Sequence, residues 1–411
     1  MAARRYRQCM AEDFVGARIR YWRLKRGLTQ ATLAELAGLS QGYVSQVESG
    51  MREIDRRSTL VRLADALKVS VAEVVGQPYA PDDPQHARAQ AAVPDIRAAL
   101  VGLAYLDLAP EPARPMAQLE AGVRDLMRYR RQCEYADAAH LIAPLLRDLG
   151  AAAYGARSTD RAEGLRLLTL ATYSTAFVLK YLGFVDLSLT AAERCHDAAR
   201  SLDSPEWIGL AEYARLHTLP SESRAVGRGL MVATTDQLAR DLTSPNVLQT
   251  YGMLHLSAAW TDAVAGDLTE ARSHLAEASE VADRLGPDPV DGGFAEMQFG
   301  PTNIAQWRMS LALEAGEPGR AVELAREISP KAILSTSRRA SFHIDLASAM
   351  AASRRRDAEA LAQFVQAERV APQRVRLSPV VRDTVGAMLR RARADAGGDK
   401  LRGLAGRLGL A

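Results

Sequence analysis

GLTQATLAELAGLSQGYVSQVESG, residues 27–50, contains two short apolar-periodic segments separated by a turn around Gly38. Apolar residues recur at helical spacing in each segment, and Thr29 and Ser40 stand at N-cap positions. A glycine follows each segment as a stop signal. The pattern predicts a helix of about eight residues, a turn, and a second helix that begins at Gln41.

The second helix carries amide and hydroxyl side chains and few charged ones. Its apolar positions face inward, which leaves Gln41, Tyr43, Ser45 and Gln46 on outer or flanking faces. A glutamine amide donates and accepts together, so it can read the adenine edge in the major groove. A helix N-terminus also accommodates phosphate. We interpret this helix as one that lies against base edges, with Gln41 entering the groove deepest.

The flanking sequence completes a small basic module. Helical spacing recurs in FVGARIRYWRLKRG, STLVRLADALKV and VAEVVG, and Ser70 with Glu73 forms a capping box. Residues 1–76 hold 13 Lys and Arg against 8 Asp and Glu, a net charge of +5, whereas the remainder carries −2. The sequence therefore predicts a five-helix domain over 1–76 that meets a polyanion.

This module resembles the Xre/Cro family of phage-repressor-like DNA-binding domains over about residues 12–76. The segments that carry the resemblance are Arg23–Gln30, Leu33-Ala34, Gly38-Leu39-Ser40 and Val47–Gly50. The resemblance implies that one domain contacts a half-site. A homodimer on double-stranded DNA with an inverted-repeat operator is therefore expected.

The resemblance also implies roles for individual side chains. Gln30 is expected to hold a phosphate, and Arg23 and Glu48 to pair in the interior and brace the recognition helix. Gly42 departs from the family, where many members have a larger polar side chain, so base readout would depend on its neighbours. With three loop arginines as phosphate contacts, the predicted DNA-binding residues are Gln30, Ser40, Gln41, Tyr43, Ser45, Gln46, Arg52, Arg56 and Arg57.

Residues 77–94 contain four prolines in eighteen positions. Proline at this density favours an extended chain, so we predict a linker between two modules. The remainder, 95–411, shows helical patterns, and proline stands at the first position of several helices. The chain is therefore predicted to be all-α.

Helices in the second module come in pairs joined by short turns. A long helix over 160–182 precedes one over 185–202, and the same arrangement recurs at 245–265 and 301–315. The underlying period is roughly 35–40 residues. The segment resembles degenerate tetratricopeptide repeats, which implies a right-handed solenoid of helical hairpins; a generic helical bundle is the alternative.

Regulators that join such a DNA-binding domain to tetratricopeptide-like repeats form a known architecture. The chain is similar to the peptide-quorum-sensing regulators and, in composition, to an actinobacterial branch tied to development or specialised metabolism. The resemblance implies that 95–411 senses a small molecule or short peptide and builds the dimer. The alternative is a DNA-tethered scaffold whose repeats bind a protein partner without a small ligand.

Candidate effector contacts lie on two helices of the second module. Asn303, Gln306 and Trp307 follow a Gly-Pro helix start, and an asparagine amide can hold a peptide backbone through a donor and an acceptor. Tyr251 and His255 give a second helix a mixed aromatic and polar face. For each of these residues, ordinary packing in the core is the alternative.

Other function classes find no support in the sequence. We see no glycine-rich phosphate loop, nucleophile elbow or metal-ligand spacing, so we predict no enzyme activity, metal or cofactor. No apolar run is long enough for a membrane span, and no secretory signal is visible. The three dispersed cysteines fit a reducing compartment, so the protein is expected to be cytoplasmic.

Overall fold

The computed structural model describes residues 14–80, 83–105, 114–155, 160–220, 223–353, 355–392 and 398–410. Every regular element in these ranges is a helix, and no strand occurs among them. The all-α prediction therefore holds for the part of the chain that the structure describes.

The N-terminal domain contains five helices: α1 (Val15–Lys25), α2 (Gln30–Leu36), α3 (Gln41–Glu48), α4 (Arg57–Leu67) and α5 (Val71–Val75). The predicted caps are present. Side-chain oxygens of Thr29 and Ser40 accept from the third backbone N–H that follows them, and Ser70 with Glu73 forms the capping box. Buried aliphatic side chains from all five helices form one core.

The proline-rich segment differs from the prediction of an extended linker. Its second half is helical, in α6 (Pro84–Ala91) and the start of α7 (Val93–Gly102). Pro84 and Pro94 occupy the first turns of these helices. A backbone N–H in the first turn has no intrahelical acceptor, so proline loses no helical hydrogen bond there. Prolines here mark helix starts, and Ala89 and Val93 are buried in the main core.

The C-terminal body continues as paired helices. Its helices are α8 (Met116–Gln132), α9 (Tyr135–Tyr154), α10 (Arg161–Leu182), α11 (Val185–Leu202), α12 (Pro205–Thr218), α13 (Arg224–Leu238), α14 (Pro245–Ala265), α15 (Leu268–Leu285), α16 (Pro301–Glu314), α17 (Pro318–Ala325), α18 (Thr336–Ala351), α19 (Asp357–Val370), α20 (Pro372–Arg376), α21 (Pro379–Arg391) and α22 (Asp399–Arg407). A short 3-10 helix, Phe294–Glu296, precedes α16.

These helices form two layers. The first helices of the pairs, α8, α10, α12, α14, α16 and α18, contact one another in that order, and α18 returns to contact α8. Helix α14 is buried along nearly its whole length, whereas its partner α15 buries one narrow stripe. The first helices of the pairs therefore form an inner layer that closes into a ring, and their partner helices form an outer layer that covers it. A tetratricopeptide-type repeat and a right-handed solenoid stay predictions.

None of the helices that the structure describes combines the length and apolarity needed to cross a membrane. Cys133 and Cys195 are free and buried. Cys9 lies outside the described residues.

Candidate nucleic-acid interface

The outer face of α3 carries the polar side chains predicted to read bases. Gln41, Ser45 and Gln46 are exposed, whereas Val44 and Val47 of the same helix are buried. The helical period places the two sets on opposite faces. The structure thus presents an uncharged face of amides and a hydroxyl to solvent.

The N-terminus of α3 is open to an anion. Ser40 Oγ accepts from the backbone N–H of Tyr43 at 3.1 Å, which satisfies one of the N–H groups at the start of the helix. Ser40 and Gln41 are both exposed, so the remaining N–H groups of the first turn are near solvent. This geometry suits a DNA phosphate at the positive end of the helix dipole.

A buried ion pair fixes α3 against α1. Arg23 donates to both carboxylate oxygens of Glu48, at 2.5 and 2.9 Å, and to the Leu28 carbonyl oxygen at 2.8 Å. Gln30 Nε2 donates to Glu48 Oε2 at 2.8 Å, so the predicted phosphate contact braces the same carboxylate. Both members of the ion pair are buried, and the bidentate geometry orients the helix strongly.

Tyr43 and Arg52 lie together beside this face. The Arg52 guanidinium is 4.5 Å from the centre of the Tyr43 ring. Burial, followed by the charge of Asp55, raises the pKa of Tyr43 well above its ordinary value. The hydroxyl is buried without a partner, so this tyrosine packs in the domain while Arg52 covers its ring.

Arg56 and Arg57 lie toward the C-terminal body. Arg56 approaches Gly316, and its Nε is 3.9 Å from Asp55 Oδ1. Burial, followed by the charge of Arg57, lowers the pKa of Lys180, and burial, followed by the charges of Lys180, Arg338 and Arg57, lowers that of His217; both groups are in the inner layer. The charge of Arg56 also acts on the hydroxyl of Tyr43 in α3, against the effect of burial.

The body holds the loop after α3 through several polar contacts. Asp383 accepts from the Ile54 N–H at 2.9 Å, and Arg390 donates to the Gly50 carbonyl oxygen at 2.9 Å. Arg391 pairs with Glu53 at 2.5 Å. Gln41, Ser45 and Gln46 stay exposed in this docked arrangement.

Comparison with known proteins identifies this domain. Residues 19–74 match the helix-turn-helix family. This part of the chain is a helix-turn-helix domain of the Xre type. The match covers α2 and α3, the helix, turn and helix described above. No curated protein and no solved structure matches the chain.

The candidate effector residues fall into two separate groups. Asn303 and Gln306 of α16 line a cavity of about 20 Å³, enough for one water molecule. Gln306 Nε2 donates to the Arg338 carbonyl oxygen at 3.2 Å, while the Asn303 Oδ1 is buried without a partner. Trp307 packs edge-on against Trp260, with ring centres 6.2 Å apart.

Tyr251 and His255 face α15. The Tyr251 hydroxyl donates to Glu277 at 3.1 Å, and the Nδ1 atoms of His255 and His274 are 2.9 Å apart. Burial, then the charge of His274, lowers the pKa of His255 to about 4. These residues therefore form a contact between helix α14 of the inner layer and helix α15 of the outer layer.

The sequence did not predict a further cluster of cations and aromatic rings, which lies on the inner-layer helices α10, α12 and α18 and on the short helix α20. Its cations are Lys180, Arg338 and Arg374, and its rings include those of Phe177 and Tyr213. Lys180 stands in the apolar run TYSTAFVLKYL, and a lone lysine in such a run is the sequence feature that could have indicated this cluster. Among the described residues, no group of His, Cys, Asp and Glu is arranged to hold a metal ion.

Proposed function

We propose that the protein is a sequence-specific transcriptional regulator whose C-terminal body senses a small molecule or short peptide and modulates operator binding. The observation that carries the DNA-binding part is the exposed uncharged face of α3 within a segment that matches the helix-turn-helix family. Gln41 and Gln46 contact base edges, and Ser45 contacts a base or the backbone.

The remaining predicted DNA contacts divide by position. Ser40 and the first turn of α3 hold a phosphate, and Gln30 approaches the backbone with its free amide oxygen. Arg52, which lies over the Tyr43 ring, contacts phosphate. Arg56 and Arg57 contact the body in this arrangement and reach DNA only if the domain moves. A homodimer places two such domains on an inverted repeat.

The sensing part is supported by the way the domain is held. The body contacts the loop 50–58 and leaves the reading face uncovered. A ligand that changes these contacts would therefore change the spacing or angle of two half-site readers without touching DNA itself. It can do so only through different affinities for the two arrangements.

A partly accessible polar cluster inside the body favours an effector over a protein partner. Lys180, Arg338 and Arg374 are intermediate in exposure, so a small molecule can contact them while most of each side chain stays covered by the body. The scaffold alternative would need a broad charged outer surface. The prediction that the chain is not an enzyme is kept, since the helix-turn-helix family is a family of DNA-binding regulators.

The decisive experiment is a selection of genomic DNA fragments by the purified full-length protein, followed by sequencing. We expect enrichment of a few inverted-repeat sites. The double variant Gln41→Ala, Gln46→Ala should lose this enrichment, because each lost base contact costs about 1–3 kcal/mol. Its salt-sensitive nonspecific binding should largely remain.

A matched control is the double variant Gln118→Ala, Gln237→Ala, which removes two exposed amides from the body. It should enrich the same sites as the unmodified protein. Parallel loss of specific and nonspecific binding in the α3 variant would show that Gln41 and Gln46 are structural. Enrichment that survives in that variant would place the reading face elsewhere.

A further inference from the structure

Three cationic side chains, two on inner-layer helices and one on the short helix α20, form no ion pair with a carboxylate among the described residues. The Lys180 ammonium has only a ring contact, 5.9 Å from the centre of Phe177. Arg338 donates to the carbonyl oxygens of Met297 and Gln298. Arg374 donates to Ser341 Oγ at 3.2 Å.

Carboxylates in the same region are engaged by other groups. Glu314 accepts from the backbone N–H groups of Arg57 and Ser58. Asp345 accepts from Ser310 Oγ at 2.5 Å, and burial raises the pKa of this carboxyl to about 6. The charge of Asp345 also acts on Arg374. Among the described residues whose charges act on Lys180 and Arg338 there is no carboxylate, so the chain compensates the positive charge of the cluster only in part.

Aromatic rings form one wall of this cluster. Ring centres of Tyr173 and Phe177 are 5.1 Å apart, those of Phe177 and Tyr213 are 6.0 Å apart, and those of Tyr213 and His217 are 4.4 Å apart. Arg374 lies 3.9 Å from the centre of the Tyr181 ring. The wall offers an apolar, stackable surface beside cations whose charge the chain compensates only in part.

Like charges held together at low exposure are unfavourable unless an anion compensates them. Burial, then the charges of Arg57 and Arg374, lowers the pKa of Lys180 from its ordinary 10.5 to about 7. The Lys180, Arg338 and Arg374 side chains are only partly buried, so solvent reaches the cluster. Its chemistry is thus complementary to a small molecule that combines negative charge with an aromatic or apolar body.

We propose that Lys180, Arg338 and Arg374, with the wall of Phe177, Tyr213 and His217, bind an organic anion that carries a carboxylate or phosphate on an aromatic body. The anionic group lies between the cations, and the aromatic body stacks on the wall. The site adjoins the Asn303 group, because Arg338 also lines the small cavity with Asn303 and Gln306, and it shares no residue with the Tyr251 group.

The site borders the helix-turn-helix domain, and its regulatory consequence rests on the proposed function. Arg57 at the first turn of α4 adds its charge to the field at Lys180 and His217. An anion bound there attracts Arg57 and relieves its repulsion from Lys180. Binding therefore stabilises the docked arrangement of the domain.

The test measures binding of 1-naphthoate and 1-naphthyl phosphate to the full-length protein by calorimetry, with the neutral 1-naphthalenemethanol as reference. Both anions should bind at least about tenfold more tightly than the alcohol, the equivalent of one charge-assisted hydrogen bond. A difference between the two anions reports whether the site prefers carboxylate or phosphate.

Lys180→Met should weaken anion binding by about tenfold, and Lys180→Arg should keep most of it. The matched control Lys331→Met removes an exposed lysine and should change nothing. Arg374→Gln, with exposed Arg272→Gln as its control, tests the second cation. Thermal unfolding monitored by circular dichroism checks that each variant is folded.

Equal affinity for the anions and the alcohol overturns the proposal, as does anion binding that Lys180→Met and Arg374→Gln leave unchanged. Binding of an enriched DNA fragment is measured separately, with and without 1-naphthyl phosphate at constant ionic strength. Absence of any selective DNA binding counts against the proposed function, and the calorimetric result still decides the anion site.

Discussion

Glu314 of the body caps the N-terminus of helix α4 in the helix-turn-helix domain. Its carboxylate accepts from the backbone N–H groups of Arg57 at 3.0 Å and Ser58 at 2.8 Å. The first N–H groups of a helix have no intrahelical partner, and a negative charge there is favoured by the helix dipole. Arg56, the N-cap residue, makes no side-chain cap. The start of α4 therefore depends on docking.

Glu314→Ala should loosen the start of α4 and weaken docking. Loss of a cap costs about 0.5–2 kcal/mol, so hydrogen exchange in peptides that span 57–60 should accelerate by about twofold to thirtyfold. Mass spectrometry of the full-length protein measures this. The control is Glu317→Ala, which removes an exposed carboxylate three residues away. Exchange at 57–60 that matches the unmodified protein would mean that Glu314 contributes no cap.

Asp383 gives the docking contact a pH dependence. Burial raises the pKa of this carboxyl from its ordinary 3.8 to about 6, although the Ile54 N–H and the Arg390 charge lower it. A carboxyl whose folded pKa is raised binds its proton more tightly in the folded state. Between about pH 4 and 6 its contribution to the free energy of unfolding therefore falls as the pH rises.

Asp383→Asn should lack this contribution. Relative to the unmodified protein, the variant should gain stability as the pH rises from about 4 to 7, by about 2–3 kcal/mol for a shift of about two pKa units. Urea unfolding at several pH values measures the difference. Asp399→Asn, which changes a fully exposed carboxyl, is the control. A stability difference for Asp383→Asn that does not change with pH would refute the raised pKa.

Local interactions account for the parts that were predictable from sequence. Thr29, Ser40 and Ser70 cap helices through atoms three residues away, and proline at Pro245 and Pro301 marks a helix start without help from the rest of the fold. Short-range periodicity and caps can be read directly. They correctly predicted the helices of the N-terminal domain and several pairs in the body.

Contacts between distant segments were not predictable. The sequence alone could not show that Glu314 caps α4, nor that Lys180 and Arg374 meet inside the body, because no local pattern reports such pairs. Residues 77–94 were predicted to be an extended linker, yet their second half is helical in α6 and the start of α7. A proline can end one helix or start the next, and its local sequence does not decide between the two.

The pair Arg23 and Glu48 should make a large contribution to the stability of the helix-turn-helix domain. Removing one partner from a buried pair leaves an uncompensated charge, which costs about 3–5 kcal/mol. We therefore expect Arg23→Ala to lower the free energy of unfolding strongly and to reduce DNA binding with it. Thermal unfolding of the full-length protein, followed by circular dichroism, measures the loss of stability.

The exposed pair Arg124 and Glu120 is the control for that variant. Its nitrogen and oxygen are 2.6 Å apart, but both side chains are more than half exposed. Exposed pairs contribute about 0–1 kcal/mol, so Arg124→Ala should change stability little. Similar losses of stability from Arg23→Ala and Arg124→Ala would show that burial does not increase the contribution of the ion pair to stability.

Gly42 tests how closely DNA approaches α3. A Cβ at this position meets no atom within 4 Å, and its backbone is not in the left-handed region. Gly42→Ala should therefore stabilise the domain by about 0.5–1 kcal/mol, since glycine is less favourable than alanine in a helix. If the backbone at Gly42 lies against a base or phosphate, the same methyl group should reduce binding to the selected operator.

Gly266→Ala tests whether the backbone conformation, and not only the space around the residue, decides the effect of an added methyl group on stability. Gly266 also has no atom within 4 Å of an added Cβ, but its φ is +92°, a left-handed conformation that side chains rarely adopt. This variant should be destabilised by about 1 kcal/mol, measured by the same urea titration. Equal effects at both positions would contradict the argument. If Gly42→Ala raises stability and still lowers operator affinity, the loss shows direct contact between DNA and the backbone at Gly42. A better-folded recognition helix cannot by itself weaken DNA binding.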